Sequence, residues 1–459
     1  MEERTEDQIL EQLETDLEQK HYAAIKDTLN ELPAADVAAL FEEMPEENIP
    51  LLFRLLSKEL AADVFVDMEP EAQELLIHGF SDTELKEVVD ELYVDDAVDI
   101  IEEMPANVVK RILQSADSQT RQQINNILQY PEDSAGSIMT TEYVDLKKSM
   151  TVADAIKRIR RTGVDKETIY TCYVTDESRK LLGMVSVKTL LLAEEDDVIE
   201  DIMETHVISV NTLDDQEEVA NQLTKYDFMA IPVVDREERL VGIVTFDDAM
   251  DIIEEETTED IEKMAAITPS DRPYLKTGVW RIFAQRIPWL LVLMVSATFT
   301  GMIIASFEDS LAKFAVLTAF IPMLMDTGGN SGSQASVTVI RGLSLHEIEM
   351  GDILRVVWKE SRIGLLVGAV LAAVNFGKIM LVDRLLLGNT SISVTVAAVV
   401  CLTLVATVFL AKLVGCSLPI AAKRLGFDPA VMASPFITTI VDALSLFIYL
   451  KIATAFLPI

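Results

Sequence analysis

The last long apolar run of this chain, SPFITTIVDALSLFIYL (434–450), contains one carboxylate, Asp442. On a helix, Thr438 and Thr439 lie four and three residues before it and bring two hydroxyls near the same face. A charge at membrane depth costs about 2.5–3.5 kcal/mol on insertion scales. Such a group has to face water, an ion or a partner such as Arg341 or Lys412, and these residue types favour an ion path. A second segment, FIPMLMDTGGNSGSQASVTVIRGLSL (320–345), sets Gly328, Gly329 and Gly332 among Asn330, Ser331, Ser333 and Gln334. The glycines are expected to break the helix, and irregular backbone at membrane depth is tolerated only against protein or a water-filled cavity. Neutral oxygens on a broken segment, with a carboxylate nearby, make a candidate pore lining. Asp326 is then either a ligand or a cap of the break.

A third constellation is acidic: Asp247, Asp248, Asp251, Glu254, Glu255, Glu256, Glu259, Asp260 and Glu262. On a helix Asp248, Asp251 and Glu255 share one face, and Glu256, Glu259 and Asp260 share another in part. Like charges at this spacing destabilise a helix by roughly a few tenths of a kcal/mol per pair, so a counterion should help it form. Hard divalent cations prefer oxygen ligands, and Mg2+ often binds through one or two carboxylates plus retained waters. The bland alternative is a solvated acidic linker.

These groups belong to two dissimilar halves. Of the 76 acidic residues only ten lie from Lys276 onward, beside fourteen of the 38 Lys and Arg, so the front carries −42 and the back about +4. An acidic chain with no basic stripe is a poor nucleic-acid partner. Cys172, Cys401 and Cys416 are scattered and lack a CxxC pair, which suggests neither a disulfide framework nor a zinc site. The four histidines are equally dispersed. No nucleophile–base set or GxxxxGK[ST] loop points to an enzyme or an ATP-driven pump. Five apolar stretches are expected to cross a bilayer, at about 288–307, 312–327, 362–382, 394–411 and 436–457. Lys276, Arg281 and Arg286 precede the first; Arg341, Arg355, Lys359 and Arg362 lie between the second and third; Lys423 and Arg424 lie between the fourth and fifth. The positive-inside rule puts the N-terminus in the cytoplasm and the C-terminus outside, consistent with an acidic start, MEERTEDQIL, that does not read as a signal peptide.

Upstream, ADVAALFEEMP (35–45), AADVFVDMEP (61–70) and DDAVDIIEEMP (95–105) each read as a short amphipathic helix stopped by proline. Stacked, they predict a curved helical solenoid. From Ile138 the pattern becomes a duplicated α/β unit whose two IM pairs, 138–139 and 202–203, are 64 residues apart. The order strand–helix–strand–strand–helix and the string LVGIVTFDDAMD (240–251) resemble a tandem pair of CBS domains. That resemblance implies sensing of adenine nucleotides or ions, with Tyr170, Phe228 and Pro232 as candidate walls of a nucleotide cleft or as ordinary core.

RIPWLL (286–291), GGNSGSQ (328–334), RGLSL (341–345), LGFDPAVMASPFITTIVDAL (425–444) and the overall order of segments resemble the MgtE family of magnesium channels and transporters. The resemblance implies a multidomain fold: an all-α superhelical acidic N-domain (1–136), an α/β tandem CBS pair (137–200 and 201–257), a connecting helix (258–283) and an α-helical membrane domain with five spans (284–459). It implies a homodimer in the plasma membrane with one pore, Asp442 as its selectivity carboxylate, and Asn330, Gly328, Gly329, Thr438 and Thr439 around it. It further implies that cytosolic Mg2+ closes the pore from sites between the cytoplasmic domains. Carried over by motif, those ligands are Asp95, Asp99, Glu217, Asp227, Asp248, Asp251, Glu256, Glu259, Asp260 and Asp428, with Asp63 where a Glu is common. Ser445 stands where many members have Gly. Mg2+ is the expected cargo and regulator, with ATP at the CBS pair left open. A coupled secondary transporter and a non-conducting membrane-anchored CBS regulator are the rival readings.

Overall fold

The computed structural model describes residues 6–270, 274–275, 277–388, 392–432 and 434–457. The chain forms two compact units, Met1–Ile253 and Glu254–Ile459.

Among the described residues of the first unit, ten short helices occupy 6–127. The three expected amphipathic segments are α3 (Ala34–Glu43), α5 (Lys58–Val66) and α8 (Val94–Glu103). Their apolar faces, including Val37, Phe41, Val64, Phe65, Val98 and Ile101, are buried in one core. Met44 and Met104 leave the helix with extended backbone, as the residue before a proline must. Pro70 instead opens α6 (Pro70–Gly79), where its missing N–H costs nothing. Phe53, Phe65 and Phe80 pack their rings edge-on or tilted at centroid distances of 5.3–6.4 Å and tie successive layers together. The last solenoid helix, α10 (Ser118–Ile127), is capped by Asp117.

The duplicated unit follows. Strands β1 (Asp145–Lys147), β2 (Thr171–Thr175) and β3 (Leu181–Ser186) form one sheet; β4 (Val210–Asn211), β5 (Ala230–Val234) and β6 (Leu240–Thr245) form a second in the same order. In each, the first pair is parallel and the second antiparallel, because a helix, α11 (Val152–Thr162) or α14 (Gln216–Tyr226), carries the chain back. The turn between β2 and β3 is built on Asp176, whose Oδ1 accepts from the amides of Ser178 and Lys180, and Arg179 takes φ 67°. Its twin uses Asp235, with Glu238 at φ 63°. The copies are joined through Tyr143 and Tyr173, packed with Leu240 and Ile243.

Helix α15 (Phe246–Met264) carries the acid run. It ends well before the connecting helix expected over 258–283 does. The chain leaves helix at Ala265–Ala266, with Ala266 at φ 55°, ahead of Thr268–Pro269. Residues 271–273 and Lys276 of the expected connecting helix lie outside the described residues. The next helix, α16, begins at Val279 and runs to Ser306.

In the second unit α16, α19 (Ile353–Lys378, extended by a π-helical segment, Ile379–Leu386), α20 (Val394–Arg424) and α21 (Ser434–Phe456) are long and apolar enough to cross a membrane. A fifth helix, α18 (Ile321–Ser344), is of membrane length but more polar, and packs against α20 and α21. The expected break at Gly328, Gly329 and Gly332 is absent: all three lie inside α18. Their function is close approach. A Cβ at Gly332 would lie 2.9 Å from Ile437 Cγ2, and one at Gly415 on α20 would collide with the Gly332 backbone. In lipid an interrupted helix leaves polar backbone groups without partners, whereas glycine costs a helix only about 1 kcal/mol. Bare helix surfaces then let backbones meet. Gly415→Ala is therefore expected to lower the melting temperature of the detergent-solubilised protein by several degrees, from roughly 1–3 kcal/mol of overpacking. Gly377→Ala, on the same kind of helix but with open space around it, should leave it unchanged or raise it.

Candidate functional site

Asp442 lies near the middle of α21, one turn before Ser445 and one turn after Thr438, all on the side facing the glycine strip of α18. A Cβ at Gly329 would lie 2.8 Å from Thr438 Cγ2, and one at Gly328 2.7 Å from both Ser445 Oγ and Thr407 Cγ2. The Asp442 side chain is half-buried, and its Oδ1 is enclosed with no hydrogen-bond partner among the described residues. Ser331 Oγ, Thr403 Oγ1, Thr407 Oγ1 and Ser445 Oγ are enclosed in the same way. Buried oxygens without partners are uncommon, because each costs its own desolvation. Thr403 and Thr407 were missed from sequence; the signal was a hydroxyl pair at i, i+4 in an otherwise apolar span.

The other expected pore residues divide. Ser333 Oγ is 3.5 Å from Thr438 Oγ1. Asn330 donates to Asp326 Oδ1 at 3.1 Å, so Asp326 is bound within its own helix and caps no break. Thr439 donates to the Pro435 carbonyl at 2.9 Å and is turned to its own backbone. Lys412, an alternative partner for Asp442, is buried beside Gln334, to whose Oε1 it donates at 3.5 Å, and faces the charge of buried Glu360.

In the first unit the acids gather around the start of α8 and the end of β6. Asp95 is buried, its Oδ1 has no hydrogen-bond partner among the described residues, and burial with the charges of Asp248 and Asp96 pushes its pKa well up. Asp96 is pushed to about 7 by burial and then by Asp248. Glu167 is pushed to about 8 by burial and then by Asp96 and Asp248. Burial raises Asp248 itself, against a hydrogen bond from the Thr245 hydroxyl that holds it down. Glu142 closes the group, accepting from the Val94 amide at 3.0 Å. Beside it Asp63 is raised by burial and Glu59, and Asp67 by burial, Asp63 and Asp251. Asp99 follows Asp95 by one turn of α8; Glu217 lies in the first turn of α14, and Asp227 caps its end in left-handed conformation. Asp96, Glu142 and Glu167 were not among the expected ligands. Their sequence signal, one acid beside Asp95 and two others far along the chain, acquires meaning only when folding brings them together.

The second half of α15 holds Glu256, Glu259 and Asp260. Lys263 binds Glu259 at 2.6 Å and Asp428 at 2.7 Å, and the Ser344 hydroxyl donates to Asp260 at 3.3 Å. An ammonium thus occupies the place between two expected metal ligands. Among the described residues no three His, Cys, Asp or Glu side chains form a ready-made metal site.

Tyr170 lines a cavity of about 670 Å³ with Ser186, Lys188, Leu191, Leu192 and Met229. Phe228 instead stacks on Tyr226 at 5.5 Å and packs against the main core, and Pro232 is buried in β5, so neither is among its walls. The apolar walls Leu191, Leu192 and Met229 are exposed residues that sequence reasoning passed over.

Comparison with known proteins accounts for every segment. A family model for the MgtE intracellular N domain matches 32–133, the CBS domain model matches 135–196 and 199–255, and the MgtE divalent cation transporter model matches 321–452. The chain is 36% identical to the magnesium transporter MgtE of Thermus thermophilus over 98% of both chains. It is 35% identical to that of Bacillus subtilis over 94% of both. A crystal structure of the cytosolic domain of the Mg2+ channel MgtE in complex with ATP aligns with 52% of this chain and 98% of its own, at 37% identity and a TM-score of 0.50. The soluble part of a magnesium transporter aligns with 55% of this chain and 99% of its own, at 30% identity and a TM-score of 0.52. With an acidic helical and CBS front, membrane-length helices behind and full-length similarity to magnesium transporters, the chain belongs to the MgtE family, a non-enzymatic family of multi-pass membrane Mg2+ transporters.

Proposed function

We propose that the protein is a Mg2+-selective channel, a homodimer in the plasma membrane with its acidic domains in the cytoplasm and its C-terminus outside, closed by cytosolic Mg2+. The observation that carries this reading is the enclosed, unpartnered Asp442 Oδ1 on a membrane-length helix. A hydrated Mg2+ holds its waters tightly and is bound most cheaply by outer-sphere hydrogen bonds to such a carboxylate. One Asp442 from each protomer, with Thr438, Asn330 and the Gly328–Gly329 strip around it, supplies a weak site from which the ion can also leave.

Closure follows from the acids. Without a divalent cation, Asp95, Asp96, Asp248, Glu142 and Glu167 crowd one another in the first unit; burial first, and then neighbouring carboxylates, raise the pKa values of Asp95, Asp96 and Glu167. Mg2+ shared among them, with Asp63, Asp99, Asp251, Glu217 and Asp227 as further ligands, draws them together. Glu256, Glu259, Asp260 and Asp428 take Mg2+ in competition with Lys263. Several weak sites feeding one transition give a steep response. Mg2+ is then both cargo and regulator, and ATP occupies the Tyr170 cavity, in keeping with the ATP complex of the similar cytosolic domain.

The test is patch-clamp recording from the purified protein in liposomes, with Mg2+ varied on the cytosolic side. Single-channel Mg2+ current that disappears as internal Mg2+ rises is expected. Uptake that requires a Na+ or H+ gradient, without unitary current, would move the protein to coupled transport.

A further inference from the structure

The front of this chain carries −42, yet one cavity of about 370 Å³ in it gathers three cations, Arg158, Lys166 and Arg179, against a single carboxylate, Asp145. Arg158 already pairs with the Asp145 carboxylate and donates to its main-chain carbonyl at 2.6 Å. Arg179 and Lys166 therefore contribute surplus positive charge. Arg179 is well placed: the Asp176 turn sets its backbone, its carbonyl accepts from the Leu240 amide at 2.9 Å, and its Nη2 donates to Tyr143 Oη at 2.8 Å. Tyr143 in turn donates to the Leu240 carbonyl at 3.2 Å. One hydrogen bond leaves a guanidinium with further donors in a planar fork, the geometry that matches phosphate. The hydroxyls of Thr141, Tyr143, Thr162 and Thr175 complete the lining.

This basic character is not a property of the duplicated fold. With the 64-residue offset, Arg158 corresponds to Gln222 and Asp145 to Ser209, and the matching turn places Glu238 where Arg179 stands. Arg179 and Thr141 also border a second cavity of about 590 Å³, lined by Gln123, Asn126, Gln129 and Tyr130 of the solenoid end together with Met139 and Val241. Amide donors and acceptors, an aromatic ring and three apolar side chains, those of Ile127, Met139 and Val241, suit a polar planar group attached to the phosphates. Neither cavity shares a residue with the one at Tyr170.

We propose that these adjoining cavities bind a phosphorylated small molecule, its phosphates on Arg158, Lys166 and Arg179, at a site separate from the Tyr170 cavity. Bound there, it would link α10 to the first CBS copy. The test is isothermal titration of the full-length protein in detergent and Mg2+-free buffer, with inorganic pyrophosphate and with ADP as probes. Saturable pyrophosphate binding is expected, weakened about tenfold or more by Arg179→Gln and by Lys166→Gln. Glu238→Gln, the mirror position, should leave it unchanged. Lys166→Gln guards against a folding defect in Arg179→Gln, since Arg179 also supports Tyr143. ADP binding tighter than pyrophosphate in a Tyr170→Ala background would assign the second cavity to an organic group; equal binding would point to inorganic phosphate as the ligand. Absence of saturable binding of both probes, or binding lost in Tyr170→Ala but kept in Arg179→Gln, would overturn the proposal. None of these readouts depends on whether the membrane unit conducts.

Discussion

Asp442→Asn is expected to reduce Mg2+ current on the order of 100-fold or more while leaving the protein folded and inserted. Removing a charge-assisted contact costs about 1.5–3 kcal/mol, and the proposed dimer would lose two. The folded state should tolerate the change, because Asp442 Oδ1 has no hydrogen-bond partner among the described residues to abandon. Asparagine also relieves the cost of a charge at that depth, so thermal stability should hold or rise. Asp442→Glu, one methylene longer, is expected to retain part of the current, because the charge survives while its position shifts. Reconstituted variants with matched melting temperatures make the comparison clean. An asparagine variant that conducts like the parent would show that the carboxylate is structural and that the ion path lies elsewhere.

In Mg2+-free buffer the first unit should become less stable as pH rises from about 4 to about 8, opposite to the usual behaviour of paired carboxylates. Asp96 and Glu167 have folded pKa values of about 7 and about 8, above those of an unfolded chain, with burial the leading cause and neighbouring carboxylates the next. Between the unfolded and folded values the native state binds more protons than the unfolded one, so stability falls with pH. It is fully present below about 4 and lost by about 8, a difference of a few kcal/mol. Saturating Mg2+ should flatten this dependence, since the cation replaces the protons. Hydrogen exchange of the α8 amides in the full-length protein, at pH 6 and pH 8.5 with and without Mg2+, measures both effects. Asp96→Asn should slow exchange in Mg2+-free buffer at pH 8.5 and reduce the gain from Mg2+. Protection independent of pH and Mg2+ would remove the acids of this unit from the gating scheme.

Much of the fold was legible in one dimension. The solenoid helices stop where Pro45 and Pro105 dictate, because proline restricts the backbone of the residue before it whatever the surroundings. The two CBS copies were readable because a repeat displays itself in the order of its own elements. Asp442 stood out because a lone carboxylate in an apolar run is costly in any arrangement. Reading failed where a residue's meaning depended on what it touches. Glycine in α18 reads as a helix breaker, yet its lack of a side chain serves contact with α20 and α21, and only packing distinguishes the two. The end of α15 at Met264 was legible as well, since Pro269 bars a continuing helix, although the connecting helix was expected to run through it.

Composition and periodicity by themselves determined that this protein has an acidic, repeat-built front, a membrane-length helical back and a single carboxylate, Asp442, in its last apolar run. Those properties are local, set by hydropathy, backbone restriction and the cost of burying charge. Only the tertiary structure decided which acids are neighbours, that Lys263 sits between Glu259 and Asp428, and that Arg158, Lys166 and Arg179 converge. Charges interact strongly over a few ångströms, and residues far apart in the chain reach that distance only through the packing of the elements that carry them.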